Sequence, residues 1–254
     1  MITMDAVKTS VYKLGRVAFS VKNCDEGFTE DLDVLLPHAS ETEYEDIDIH
    51  DVKMGCERDL RGLLNHILKK HLGCLWIDAG CLITPAGKKI LISGQSGAGK
   101  STTTMALALG YGWKVVAEDL LLLDKEQDML LTFASPFSLK SGTFEMLKEC
   151  VGRGPDPILQ SEWSPLGEMA ASGTFDAHFD FSIVLNRAVD GEPNLVLDEV
   201  SPIEYLRSIL PISNTLRYKD ASEKMIEYFS SGRCVRFSGG TLRERLDTIL
   251  DLCK

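Results

Sequence analysis

Apolar residues along the chain change period several times, and each change marks an element. Residues 11–21 read as strand, and Ile47-Asp48-Ile49-His50-Asp51-Val52 alternates apolar and polar with the period of two of a half-buried strand. From Leu60 the apolar positions Leu63, Leu64, Ile67 and Leu68 fall three and four apart, which predicts a helix stopped by Gly73. Residues 74–84 and 88–93 read as strands joined by the turn Pro85-Ala86-Gly87. A Gly-rich loop follows, then a helix over 101–109 ended by Gly110 and Gly112, then a β-branched and leucine-rich run over 114–123 that reads as one buried strand.

The second half is less regular. Residues 130–140 and a short helical stretch near 144–149 lead into residues 151–180, where seven Gly or Pro and little periodicity point to a lid or binding loop. Residues 181–185 and 195–200 read as strands, and Ser201-Pro202-Ile203-Glu204 is a capping box with Pro at the first helical position. That helix runs through 210, a second covers 221–229, and a strand covers 234–237. Phe237-Ser238-Gly239-Gly240 reads as a turn, and Thr241-Leu242-Arg243-Glu244 announces a last helix. The order strand, loop, helix, strand predicts an α/β main domain over 59–254, preceded by a small β-rich cap over 1–58.

Composition narrows the partners. The 254 residues are 44% apolar and 26% charged, enough for one large core with an appendage. Asp and Glu number 38 against 27 Lys and Arg, a net charge of -11, which argues against nucleic acid and anionic membrane as partners. Between Asn23 and Val52 lie 11 acids and no Lys or Arg, the pattern of a solvated face. Seven cysteines without a C-x-x-C pair suggest neither a disulfide framework nor a zinc site, and no apolar run approaches the roughly 18 residues of a membrane span. The N-terminal residues lack the basic and apolar regions of a signal peptide, so a soluble, cytoplasmic protein is expected. The five histidines show no ligand spacing and are assigned no role.

The chemistry concentrates in Gly94-Gln95-Ser96-Gly97-Ala98-Gly99-Lys100-Ser101, which matches the phosphate-loop pattern G-x-x-x-x-G-K-[ST] between an apolar strand and a helix. The glycines let backbone N–H groups from Gly94 to Thr102 curl around phosphate oxygens. The helix adds its positive N-terminus, Lys100 reaches the β and γ phosphates, and the Ser101 hydroxyl ligates Mg²⁺. Val115-Val116-Ala117-Glu118-Asp119 is an apolar strand ending in two carboxylates, of which one can hold Mg²⁺ and the other accept a proton. Asp119 is the expected metal ligand with Ser101, and Glu118 the expected base. Neighbouring strand residues point to opposite faces, so both can serve only where the backbone bends. Lys140 and Arg187 are further cations placed to reach the transferring phosphoryl group or an acidic acceptor.

Leu75-Trp76-Ile77-Asp78-Ala79-Gly80, the hairpin after it, the phosphate loop through Thr102 and Val115-Val116-Ala117-Glu118-Asp119 together resemble the HPr kinase/phosphorylase-like kinases, most strongly over about residues 70–140. The resemblance implies a mixed-sheet P-loop nucleotide-binding core of phosphoenolpyruvate carboxykinase-like type, Mg²⁺-ATP as donor and a serine hydroxyl as acceptor. Within it Lys100 and Ser101 match the phosphate lysine and the metal-binding hydroxyl, and Glu118 and Asp119 match a pair of aspartates. Asp78-Ala79 stands where those kinases carry His-Gly, so a carboxylate replaces the histidine that assists the base. That exchange, and the lack of their C-terminal signature, argue against HPr as substrate and against phosphorylase activity. The chain is more similar to divergent relatives found beside peptide-modification genes, including kinases of lasso-peptide precursors. The expected activity is ATP-dependent transfer to a hydroxyl, foremost a serine of a peptide or protein. A small-molecule hydroxyl kinase and a non-catalytic nucleotide-binding module are the alternatives, and the choice of ATP or GTP and a homo-oligomeric state stay open.

Overall fold

The computed structural model describes residues 10–14, 17–22, 26–35, 48–51, 74–132, 135–138, 142–152, 163–164, 166–172, 175–187 and 194–254. The chain divides into two compact units, Met1–Leu72 and Gly73–Lys254. The helix expected between Leu60 and Gly73 falls outside the described residues.

In the first unit, residues 11–21 form two strands rather than one. β1 (Ser10–Leu14) pairs antiparallel with β2 (Val17–Lys22), and the acidic stretch, read as a separator, contains helix α1 (Glu26–Leu35). Leu32 and Leu35, three apart, are buried, and Asp33 accepts a hydrogen bond of 2.7 Å from the Tyr12 hydroxyl. Four acids among its ten residues thus hid a helix whose Leu32 and Leu35 lie on one face. β3 (Asp48–Asp51) adds to β2 in parallel, completing a three-stranded sheet.

The second unit runs β4 (Leu75–Ile83), β5 (Lys89–Gly94), α2 (Lys100–Tyr111), β6 (Lys114–Ala117), β7 (Leu120–Asp124), β8 (Met129–Leu131), β9 (Phe137–Ser138), α3 (Thr143–Val151), β10 (Trp163–Ser164), β11 (Phe175–Asp176), β12 (Phe181–Leu185), β13 (Val196–Val200), α4 (Pro202–Ile209), α5 (Ala221–Ser230), β14 (Arg233–Ser238) and α6 (Leu242–Leu252). Nine strands make one open mixed sheet in the order β11-β8-β7-β4-β5-β12-β14-β13, with β6 also paired to β4. At its centre β5, β12 and β14 are parallel, which brings Gly94, Leu185 and Phe237 to one end of the sheet.

Both faces of the sheet are covered, which explains why its central strands are apolar without alternation. Leu91, Val184 and Cys234 belong to a core shared with Tyr205, Leu206 and Ile209 of α4 and with Met225 and Phe229 of α5. Their strand neighbours Ile90, Ile92, Ile183, Val235 and Phe237 belong to a second core with Met105 of α2, Leu147 of α3 and Leu246 of α6. The alternation matters for β4. Ile77, Ala79 and Cys81 join the first core, so Asp78, Gly80 and Leu82 look toward α2.

The apolar run over 114–123 is two strands, not one. β6 and β7 follow one another along β4, with Ala117 opposite Cys81 and Leu120 opposite Asp78. The register shifts between Cys81 and Leu82, and Glu118 and Asp119 form the bend between the two ladders. Two adjacent carboxylates mark the break in an otherwise apolar run. Part of the irregular stretch over 151–180 is anchored rather than free: Ala171 donates its N–H to the Val115 carbonyl at 2.8 Å. The remainder of the expected lid lies outside the described residues. No described helix is long and apolar enough to cross a membrane.

Candidate functional site

The end of β5 is fixed from below. Ser93 is fully buried, its hydroxyl 2.8 Å from that of Tyr205 on α4 and donating to the Ile183 carbonyl of β12 at 3.2 Å. Gly94 follows with φ 148°, and a Cβ there would come within 2.4 Å of the Leu185 carbonyl, so only glycine fits. The chain then turns, Ala98 donating its N–H to the Gln95 carbonyl at 3.0 Å, with Gly97 and Gly99 both in the left-handed region. α2 starts at Lys100 with no side-chain cap, whereas Ser201 and Thr241 close α4 and α6 with reciprocal capping boxes. The first amides of α2 are therefore left for another acceptor.

Lys100 arches back over the loop. Its side chain is 7% exposed, and the ammonium donates to the Gly94 carbonyl at 2.8 Å and lies 3.0 Å from Asp78 Oδ1. Asp78 reaches it because β4 runs antiparallel to β5 with Ala79 opposite Ser93, which brings Asp78 level with Gly94, and because residue 78 faces α2. Gly80, two residues on along the same face, lets the helix approach: a Cβ there would lie 2.3 Å from Thr104 Oγ1 and 3.3 Å from the Glu118 carbonyl oxygen. Asp78, the carboxylate that replaces the histidine of the similar kinases, thus stands against the loop lysine.

Glu118 and Asp119 occupy the backbone bend that two useful carboxylates required. Ala79 donates its N–H to the Asp119 carbonyl at 3.0 Å, which ties the bend to the strand carrying Asp78. Glu118 is 1% exposed and Asp119 is exposed, so the two carboxylates look into different surroundings. Ser101 and Thr102 are half-buried in the first turn of α2. Among the described residues no three His, Cys, Asp or Glu cluster as a ready-made metal site. Arg187 is exposed just past β12, at a cavity of about 550 Å³ that begins at Gly94 and Gln95. Lys140 lies outside the described residues.

Sequence reasoning missed Arg245. This α6 residue is 7% exposed, donates through Nη1 to the Ala98 carbonyl at 2.9 Å and through Nε and Nη2 to the Gly239 carbonyl at 2.9 and 2.8 Å. Burial holds its guanidinium below the usual arginine range, and the charge is offset by two carbonyl dipoles. It braces the loop against the turn that precedes α6. A signal was present: Leu242, Arg245, Leu246 and Ile249 share one stripe of the helix, so the arginine stands among residues bound for the core.

No family model and no curated protein matches the chain. Among solved structures it is similar to that of the Hpr(Ser) kinase/phosphatase from Coxiella burnetii, at 15% identity over 70% of this chain and 97% of that one, with a TM-score of 0.33.

Proposed function

We propose that the second unit is an ATP-dependent phosphotransferase of the P-loop, phosphoenolpyruvate carboxykinase-like type, moving the γ-phosphoryl group to a hydroxyl, foremost a serine of a peptide or protein, in the cytoplasm. The observation that carries this reading is the uncapped start of α2, with Lys100 folded over its left-handed glycine loop and three acids, Asp78, Glu118 and Asp119, gathered on β4 and the adjoining bend. The amides from Gly94 to Thr102 and Lys100 would cradle the phosphates. Ser101 and Asp119 would hold Mg²⁺, which supplies neutralising charge to the phosphate oxygens. Glu118, shielded from bulk water, orients and deprotonates the acceptor hydroxyl, and Asp78 keeps Lys100 in place until phosphate oxygens compete for it. The motif resemblance to the HPr kinase/phosphorylase-like kinases supports the same assignment.

Saturating Mg²⁺-ATP is expected to raise the melting temperature, since a ligand at 100 times its Kd stabilises by about 2.7 kcal/mol. A melting curve unmoved by ATP or GTP, with and without Mg²⁺, overturns the reading, and binding without transfer to any hydroxyl acceptor leaves a regulatory module. The two carboxylates separate in the same assays. Asp119→Asn is expected to weaken Mg²⁺-dependent nucleotide binding, while Glu118→Gln keeps binding and loses transfer. Calorimetry that finds both variants binding equally would sink this division of labour.

A further inference from the structure

The carboxyl ends of β5, β12 and β14 open on a cavity of about 550 Å³, a volume within the range that takes small ligands and single side chains. Its border with the phosphate loop is Gly94 and Gln95, and its far wall carries Asn186, Arg187, Ser208 and Arg236. In a chain with net charge -11, this wall presents two arginines and no carboxylate. Neither arginine forms an ion pair among the described residues, although Arg233, on the same strand as Arg236, pairs with Glu199 at 3.1 Å. Arg236 makes only a long contact, 3.5 Å, from Nη2 to the Ser208 hydroxyl. Its orientation follows from the strand: Val235 and Phe237 turn into the core beneath α2 and α6, so Arg236 turns toward α4 and the cavity. Asn186 is held by its N–H to the Phe237 carbonyl at 2.8 Å and by its side-chain amide to Ser238 Oγ at 2.9 Å, which fixes the backbone that presents Arg187.

Two arginines that form no ion pair among the described residues, set beside polar, anchored groups, form a receptor for an anion, although the Glu204 carboxyl, lowered foremost by its hydrogen bonds from Ser201, is lowered by the charge of Arg236 as well. Lys100 and Asp78 lie on the α2 side of the sheet, so this pocket is separate from the lysine that would grip the nucleotide. We propose that the cavity binds an anionic group of the phosphoryl acceptor through Arg187 and Arg236, so that the acceptor is an acid-bearing hydroxyl compound rather than a neutral one. The pocket adjoins the phosphate loop at Gly94 and Gln95. An acceptor held there by its carboxylate presents its hydroxyl to the phosphoryl group, and this specificity rests on the phosphotransferase reading while the binding site itself does not.

The test measures binding by calorimetry, with and without the non-hydrolysable ATP analogue AMP-PNP plus Mg²⁺. The probes are the peptide acetyl-Glu-Ser-Glu-amide, its Gln-Ser-Gln counterpart, and malate as a small hydroxy acid. The expected result is binding of an acidic probe about tenfold or more tighter than of the neutral peptide, a preference that Arg187→Gln and Arg236→Gln each reduce severalfold while AMP-PNP affinity is unchanged. A peptide preference identifies a peptide acceptor, and a preference for malate alone identifies a small one; both support the site. Equal binding of acidic and neutral probes, no binding of either, or loss of AMP-PNP affinity in the arginine variants overturns it, the last assigning the arginines to nucleotide phosphates. If AMP-PNP fails to bind while acidic probes still require the arginines, the pocket stands and the phosphotransferase reading falls.

Discussion

Lys100→Met is expected to cut phosphoryl transfer by about two to three orders of magnitude, because on the proposed reading it removes a buried cation that would meet charge developing on the phosphoryl oxygens. Nucleotide affinity should fall as well, by about tenfold or more, since a charge-assisted hydrogen bond to phosphate contributes roughly 1.5–3 kcal/mol. The variant has a second consequence that a loop lysine alone would not have. Asp78, one-third exposed, loses the ammonium 3.0 Å from its Oδ1. Pairing the substitution with Asp78→Asn separates the two effects in a double-mutant cycle. Asp78→Asn alone should leave nucleotide binding intact, because it frees the lysine for phosphate, and should change the pH dependence of transfer. Melting curves with Mg²⁺-ATP, together with pH–rate profiles, check both arms. A Lys100→Met protein that folds and shifts with nucleotide as the parent does would remove the phosphate role from this loop.

The second large effect is expected at Arg245. Arg245→Met keeps the length of the side chain but deprives the Ala98 and Gly239 carbonyls of three donors, at a cost of about 1–3 kcal/mol in urea unfolding. The loss should extend to function, since the loop would lose the contact that holds Ala98 in place, and nucleotide affinity should drop even at temperatures where the variant is folded. Arg245→Lys, with one ammonium for a three-bond fork, should recover only part of either quantity. Arg243→Ala is the contrast. Its guanidinium donates to the Glu149 and Cys150 carbonyls from an exposed position, so its cost should stay within about 0.5 kcal/mol. Equal stability and equal nucleotide affinity for the Arg245→Met and parent proteins would reduce the brace to a bystander.

Local chemistry announced much of this molecule. The left-handed glycines at 97 and 99, the capping boxes at Ser201 and Thr241 and the turn at Gly239 and Gly240 are each dictated by residues within four positions, and each appears where those residues place it. What escaped was decided at a distance. The bend at Glu118 and Asp119 depends on both halves of the run finding the same partner strand: the adjacent carboxylates mark an interruption, but nothing local says that both halves pair with β4. α1 escaped because its acids outnumbered the buried Leu32 and Leu35 that define it. Arg245 was visible only as a charge on an apolar stripe, and its partner Ala98 is 147 positions away.

That separation carries a consequence for fragments and for synthesis. The ribosome completes the glycine loop, its lysine and the acids at 118 and 119 well before it reaches β12, β14 and α6, the elements that flank and brace the loop. A polypeptide cut anywhere between Asp119 and Arg245 would display the entire phosphate-loop signature and still lack the contact that steadies Ala98. Competence to grip a nucleotide would therefore arrive late and together with the completed sheet, so a growing or clipped chain would leave ATP alone even though its motif is intact.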